Sequence, residues 1–426
     1  MTTTAHTLPN GMLVLLRESH AAPVATCWVW YRVGARNEPR DTSGISHWVE
    51  HMLFKGTPTI PKGTMDRLVA RNGGTFNGFT SADYTAYYEI LPADRIALGL
   101  QIESDRMANA LFEPAEVESE RTVIISELEG RENQPGYWLD RELRAMAFVA
   151  HPYRQTVLGS TQTLRAMTRD ELYSYYQTYY MPNNAVLVLA GDFDSAQMLD
   201  LAERHFGGLP VGPPLPAVRA LEPEPQGERR VVVRRPGPAE YVQIGYLTPD
   251  CRSKDFAPLA VLDAVLSGAK SLTFFGGGAQ TNRSARIYKA LVETELASNA
   301  GSGYSPTHDP FLFGLEATVH DGHSAAEVEQ ALINVVETIG REGISRQELA
   351  KVLKQVRAQV AYGTESVTNQ ALQLGMWEVL DSYTRVDTLL DELAAVTADD
   401  VQRVAQTYLT ERRRTVGHFI PEGEAE

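Results

Sequence analysis

The 426-residue chain is too long for one hydrophobic core of ordinary size, and its length indicates two or three domains. With 43% hydrophobic and 22% charged residues it has the composition of a globular protein, and no run of about 18 apolar residues could form a transmembrane helix. The net charge of −15 disfavours nucleic acid and anionic membranes as partners and favours cationic ligands such as basic peptides.

Two further features bear on the compartment. Residues 1–9 contain neither the basic segment nor the apolar core of a signal peptide. The two cysteines, Cys27 and Cys251, are too few for a disulfide framework or a four-cysteine metal site. We therefore expect a cytoplasmic protein whose cysteines are inert core thiols.

Hydrophobic periodicity and end signals predict both strands and helices in the first half of the chain. The predicted strands are an opening pair at 13–17 and 24–33, a second pair at 75–79 and 84–90, and a strand at 185–190. The predicted helices are 43–54, with Ser43 near its N-cap, 65–72, 93–112, 114–133 and one that begins at Asp170. Strands that occur both in adjacent pairs and between helices indicate an α+β fold.

A proline-rich segment divides the chain near its midpoint. Six of the residues at 210–225 are prolines, and a segment with so many prolines cannot form a helix or a central strand. We predict a linker at 211–228 between domains at 1–210 and 229–426.

The two halves resemble each other. A helix containing Gln177-Thr178-Tyr179 precedes the strand at 185–190, and one containing Gln406-Thr407-Tyr408 precedes a strand at 415–420. The second half also opens with a strand pair, at 230–234 and 241–247. We interpret the chain as two homologous α/β-layer domains from an internal duplication of about 200 residues per copy. Two unrelated α+β domains with a common helix–strand ending are the alternative.

The motif His47-Trp48-Val49-Glu50-His51 is the sharpest chemical signal. Positions four apart lie on one face of a helix, so His47 and His51 can present two imidazole nitrogens to one zinc ion. Glu50 borders that face, where it could take a proton from a water at the metal. This is the H-x-x-E-H order, the inverse of H-E-x-x-H. The alternative is a helix whose histidines merely pack.

A catalytic zinc site needs a third protein ligand. Glu120 and Glu127 are seven residues apart on a predicted helix, two turns along a stripe that they share in part with apolar residues. A carboxylate in such a place needs a partner, and a metal or a metal-binding histidine would provide one. A solvated acidic helix face is the alternative.

Four segments carry a resemblance to a known family. They are Gly-Ile-Ser-His-Trp-Val-Glu-His-Met-Leu-Phe-Lys-Gly-Thr at 44–57, Gly-Gly-Thr-Phe-Asn-Gly-Phe-Thr-Ser-Ala-Asp-Tyr-Thr-Ala-Tyr at 73–87, Glu120-Arg-x5-Glu127, and Tyr-Met-Pro-Asn-Asn-Ala at 180–185. In this order and spacing they resemble the M16 metallopeptidases, which include pitrilysin, insulin-degrading enzyme and the mitochondrial processing peptidase. The length resembles that of the two-domain M16B members.

The resemblance implies roles for individual residues. It makes His47, His51 and Glu127 the ligands of one zinc ion per chain, Glu50 the general base, and Glu120 the carboxylate that orients a ligating histidine. The segment Asn77, Gly78 and Phe79 corresponds to the edge strand on which peptide substrates bind as an added strand.

The resemblance also implies a fold and an activity. The fold is that of LuxS and processing-peptidase-like metallohydrolases, with zinc in the N-terminal domain and substrate holding and dimer contacts in the C-terminal one. The activity is zinc-dependent hydrolysis of short or unfolded peptides in a chamber that the two domains enclose.

The pattern departs from the family in the second half. Many members provide an arginine and a tyrosine there that hold the substrate; Arg286 matches the arginine, but Ser298 stands in place of the tyrosine. Arg286 could equally be an ordinary surface arginine. Because two-domain M16 proteins often act in pairs, we expect a dimer, with a paralogous M16-like subunit that supplies the Arg/Tyr pair. A homodimer is the alternative.

Two other functions remain open at this point. One is a non-catalytic assembly subunit, which the retained motif residues argue against. The other is a protease dedicated to a precursor, such as the leader of a modified peptide. Manganese or cobalt could also take the place of zinc. The glycine run at 275–283 lacks the Lys-Ser/Thr of a phosphate loop, so we expect a loop there and not a nucleotide site.

Overall fold

The computed structural model describes residues 2–270 and 282–422. Most of the glycine run at 275–283 therefore lies outside the described residues. The elements before the linker are β1 (Thr3–Thr7), β2 (Leu13–Glu18), β3 (Val24–Tyr31), α1 (Ile45–Met52), α2 (Met65–Arg71), β4 (Thr75–Thr80), β5 (Thr85–Pro92), α3 (Ala97–Asn109), α4 (Pro114–Glu132), α5 (Pro135–Ala147), α6 (Thr161–Ala166), α7 (Arg169–Tyr179), β6 (Ala185–Gly191) and α8 (Ser195–Phe206).

Residues 207–228, all of them described, form neither helix nor strand, as the proline-rich sequence predicts. The elements that follow are β7 (Arg229–Arg235), β8 (Tyr241–Thr248), α9 (Phe256–Ser267), a π-helical turn (Tyr288–Val292), β9 (Ala297–Gly303), β10 (Phe311–Val319), α10 (Ala325–Glu342), α11 (Arg346–Tyr362), α12 (Val367–Leu380), α13 (Arg385–Ala394), α14 (Ala398–Tyr408) and β11 (Arg414–Pro421). The α+β fold class is confirmed.

Each half contributes one sheet, and the two sheets have the same strand order. The first is β1-β2-β6-β3-β5-β4 and the second is β7-β11-β8-β10-β9. Apart from the additional strand β1, each strand of one sheet has a counterpart at the same place in the other. This agreement supports the internal duplication inferred from the sequence.

The expectation that each half opens with two directly paired strands is wrong. The last strand of each half lies between them: β6 runs parallel to β2 and antiparallel to β3, and β11 lies in the same way between β7 and β8. The physical reason is burial, because every residue of β6 is buried and such an apolar strand is most stable at the centre of a sheet.

The chain forms two compact units, and two segments depart from the contiguous domains that the sequence predicts. The first unit contains Met1–Glu129, Gln155–Arg219 and Thr364–Thr384, and the second contains Gly130–Arg154, Ala220–Gly363 and Arg385–Glu426. Helix α12 thus packs on β3 and β6 of the first sheet, and α5 packs on β7, β8 and β11 of the second. The main boundary still falls in the proline-rich segment.

Two further sequence expectations concern the cysteines and membrane-spanning helices. Cys27 and Cys251 are both free thiols in the protein interior. Among the helices of the described ranges, none has the length and hydropathy that a bilayer-spanning segment requires.

Candidate metal centre

Helix α1 carries the H-x-x-E-H motif and begins two residues later than predicted. Gly44 precedes it with a φ of 97°, a left-handed conformation that favours glycine, so Ser43 is not the N-cap. Glu38 takes over that role from outside the helix. Its Oε2 accepts a hydrogen bond from the Gly44 amide at 2.8 Å, and its Oε1 accepts one from the Ser46 amide at 2.9 Å.

The two histidines of α1 face one carboxylate of α4. Glu127 Oε2 lies 3.6 Å from His47 Nε2 and 3.7 Å from His51 Nε2. One ligand atom from each of the three residues lies within 4.8 Å of the other two. The structure therefore brings together the three side chains that the sequence predicts as metal ligands.

Glu120, two helical turns before Glu127 on α4, contacts the ring of His51. Its Oε2 lies 3.0 Å from His51 Nδ1, and its Oε1 lies 2.5 Å from the ammonium of Lys55. Burial acts to raise the pKa of Glu120, but Lys55 and His51 outweigh it and hold that pKa below its usual value. An ionised carboxylate only accepts hydrogen bonds, so His51 donates from Nδ1 and keeps Nε2 available for a metal.

This donor set fits zinc. Ligand atoms about 2.0–2.1 Å from a tetrahedral zinc ion lie about 3.4 Å apart, close to the separations measured between Glu127 and the two histidines. Two imidazoles and one carboxylate are also a known catalytic ligand set that leaves a fourth position for water. His47, His51 and Glu127 would hold the ion.

Glu50 lies on the same helix, between the two histidines in sequence. It is buried, and its Oε2 accepts a hydrogen bond of 2.6 Å from the Thr80 hydroxyl. Burial raises the pKa of Glu50 to about 7, while the Thr80 hydrogen bond and the neighbouring His51 act to lower it. Thr80 is the last residue of β4, so Glu50 is joined directly to the edge strand.

Strand β4 forms one edge of the first sheet, and within the described residues it pairs only with β5. Asn77 is exposed there, and its Oδ1 accepts a hydrogen bond of 2.9 Å from the Gly78 amide. A Cβ at Gly78 would come within 3.0 Å of Tyr87 and Phe54, so the close packing of this strand requires glycine. Phe79 packs edge-on against Trp28 and Trp30.

Sequence reasoning missed several residues that hold α4 against α1. Arg121 lies over the Trp48 ring, 4.7 Å from its centroid, and donates a hydrogen bond of 3.0 Å to the Met167 carbonyl. Lys62 forms an ion pair with Glu116, one turn before Glu120. Lys55 and Arg121 lie inside the motifs that carry the family resemblance, and this position was the signal that could have identified them. No sequence motif includes Glu38, so the sequence carried no indication of its role.

Arg286, the predicted substrate-holding residue, lies in the second unit. Its guanidinium donates to both oxygens of Glu348, at 2.9 and 2.7 Å, and holds the pKa of that carboxyl below its usual range. Ser298 lies on β9, where its hydroxyl donates to the Thr318 carbonyl at 3.4 Å. Arg286 is thus engaged in an ion pair of its own domain, and its contact with substrate remains a prediction.

Two family models match the chain. Residues 13–161 match the model described as "Insulinase (Peptidase family M16)", and residues 166–356 match the one described as "Peptidase M16 inactive domain". The second description agrees with the presence of the H-x-x-E-H motif in the first half.

Curated relatives span nearly the whole chain. A protein named zinc protease PqqE from Helicobacter pylori is 27% identical over 421 residues, covering 97% of this chain and 92% of that protein. The mitochondrial-processing peptidase subunit beta of Lentinula edodes is 28% identical over 422 residues, covering 97% and 89%. An uncharacterized zinc protease of Mycobacterium tuberculosis is 28% identical over 409 residues, covering 95% and 90%.

Solved structures agree. The crystal structure of a protease from Helicobacter pylori has a TM-score of 0.93 and 26% identity, covering 99% of both chains. The peptidase M16 inactive domain from Pseudomonas fluorescens has a TM-score of 0.89 at 16% identity, covering 100% of this chain and 99% of that one, and so shares the fold. The resemblance seen in the sequence is confirmed: this chain belongs to the M16 family and is a metallopeptidase.

Proposed function

We propose that this protein is a zinc-dependent endopeptidase for short or unfolded peptides, with one zinc ion held by His47, His51 and Glu127. The observation that carries the proposal is the convergence of these three side chains at 3.6–3.7 Å, next to the buried carboxyl of Glu50. The three predicted ligands and the predicted base all come from two helices, α1 and α4.

Zinc in this site would lower the pKa of a coordinated water and polarise the scissile carbonyl. Glu50 would accept the proton of the attacking water on a carboxylate oxygen and pass it to the leaving amide nitrogen. The Thr80 hydroxyl donates a hydrogen bond to Glu50 Oε2 and fixes the carboxyl in place. The other oxygen, Oε1, would then accept the proton from water and donate it to the leaving group. Glu120 keeps the ring of His51 in the orientation that a ligand needs.

The edge strand β4 supports the substrate class. Its unpaired side, within the described residues, could add a peptide strand through main-chain hydrogen bonds, which give affinity with only a loose sequence preference. Because Thr80 connects this strand to Glu50, an added peptide would pass beside the catalytic groups. Only an extended chain can pair in this way, so folded proteins would be poor substrates.

We also propose that a paralogous M16-like subunit completes the active enzyme. Arg286 is engaged with Glu348, and Ser298 offers no phenol to a substrate. The relative from Lentinula edodes carries the word "subunit" in its name, which supports an assembly of this kind.

The test is cleavage of a quenched, unstructured basic peptide by the purified chain, alone and as the native complex isolated through a tag on it. For the native complex we expect activity that a chelator abolishes and that zinc restores. Glu50→Gln should lower this activity by about 100- to 10,000-fold at unchanged zinc content. Activity of the chain alone would contradict the paralogous partner. A complex that holds zinc but cleaves nothing would overturn the peptidase proposal in favour of an assembly role.

A further inference from the structure

We infer that Lys55 is a positioning residue for the metal centre, acting on the ligand His51 through Glu120. The inference rests on the proposed zinc site and adds a residue outside its ligands and base. Lys55 is not one of the three predicted ligands, and its ammonium contacts the carboxylate that holds the histidine.

The two oxygens of Glu120 have different partners. Oε2 accepts the hydrogen bond from His51 Nδ1 at 3.0 Å, and Oε1 faces the Lys55 ammonium at 2.5 Å. The Glu120 side chain is only 5% exposed, so solvent compensates little of its charge. A buried carboxylate of this kind depends on its ionic partner, and removing one partner of such a pair leaves the other strongly destabilised.

The backbone around Lys55 is fixed by the end of α1. The Phe54 amide donates to the His51 carbonyl at 3.1 Å, and the Lys55 amide donates to the Met52 carbonyl at 3.0 Å. Gly56 follows with a φ of 102°, a left-handed conformation that favours glycine. The lysine therefore lies just after the helix that carries His51, and its side chain reaches across to Glu120 of α4.

Without the ammonium, Glu120 Oε1 would lose its cationic partner and the carboxyl could turn away from His51. The imidazole would then lose the acceptor that selects its tautomer and fixes its ring plane. Partners of metal-binding histidines typically contribute about 10- to 100-fold to metal affinity. Because Lys55 acts one step further from the ion, we expect the lower end of this range.

The chain offers a matched control in Lys62. This lysine also forms an ion pair with a carboxylate of α4, Glu116, but Glu116 contacts none of the three predicted ligands in the described contacts. Replacing Lys62 removes an ion pair between the same two parts of the structure, the segment that follows α1 and helix α4. It leaves the connection from Glu120 to His51 unchanged.

The experiment measures zinc affinity of the full chain by competition with a chromophoric chelator, together with the thermal unfolding of each metal-free variant. We expect Lys55→Met to weaken zinc binding about tenfold, Lys62→Met to change it less than about twofold, and Lys55→Arg to restore most of the affinity. If metal-free Lys55→Met does not fold, Lys55→Gln takes its place.

Unchanged zinc affinity in Lys55→Met, or an equal loss in Lys62→Met, would overturn the inference. A wild-type chain that binds no zinc would instead contradict the proposed function itself. The two failures are therefore distinguishable in one series of measurements.

Discussion

Glu38 is a buried carboxylate on which the first turn of the metal-binding helix depends. Its two oxygens accept the amides of Gly44 and Ser46, and burial nevertheless raises its pKa to about 7. In the unfolded chain a glutamate ionises near pH 4.3. Between these two values the unfolded chain releases a proton that the folded protein retains, so the contribution of Glu38 to stability falls as the pH rises.

We therefore predict a pH-dependent difference between the wild type and Glu38→Gln. The free energy of unfolding of the wild type, minus that of the variant, should fall by about 2 kcal/mol between pH 5 and pH 7.5 and change little above pH 8. Chemical denaturation at a series of pH values measures it, and other titrating groups cancel in the difference. A difference that rises with pH would mean that the two amides outweigh burial and keep the carboxyl ionised.

At the level of elements, α12 is a helix from the second half of the sequence that packs on the first sheet. Gly375 of this helix lies directly against Trp30, which is 1% exposed and stacks on Trp28 with ring centroids 5.5 Å apart. A Cβ at Gly375 would overlap the Trp30 indole nitrogen. Helix and sheet can approach this closely only because the position carries no side chain.

We predict that Gly375→Ala destabilises the first unit by about 1–3 kcal/mol, because α12 or the tryptophan must move. Gly130→Ala is the matched control. Gly130 lies inside α4 and an added Cβ there would meet no atom within 4 Å, so the variant should gain about 0.5–1 kcal/mol from helix propensity. Denaturant unfolding compares the two. If Gly375→Ala instead stabilised the protein as much as Gly130→Ala, the contact between α12 and Trp30 would accommodate the added Cβ without cost.

At the scale of the whole molecule, the sequential halves are not the compact units. A fragment that ends in the linker contains β3 and β6 but not α12, whose residues belong to the first unit. The face of the first sheet that carries Trp28 and Trp30 would lose its covering helix. The other fragment would lack α5 in the same way.

We predict that fragments 1–219 and 220–426 do not fold when each is expressed alone, because each would expose a large apolar sheet face. Expressed together, they should purify as a complex that binds zinc. Soluble yield, circular dichroism and zinc content are the measurements. A fragment 1–219 that folds alone and holds zinc would contradict the importance of α12.

Local sequence determined a definite part of this structure. The i, i+4 spacing of His47 and His51 places both on one face of any helix, and the prolines at 210–225 exclude helix and central strand whatever surrounds them. Most predicted elements exist with small shifts at their ends, such as the start of α1 at Ile45. The α+β class and the two-domain plan followed from these local patterns.

Tertiary structure alone decided what depends on contacts between distant segments. The approach of Glu120 to His51 joins residues 69 positions apart, and Lys55 and Glu38 acquire their partners only because separate elements pack together. The insertion of β6 and β11 and the exchange of α5 and α12 likewise depend on which apolar faces remain to be covered. Local propensity is a property of neighbouring residues, whereas burial and the pairing of buried polar groups are properties of the folded chain, which no short segment specifies by itself.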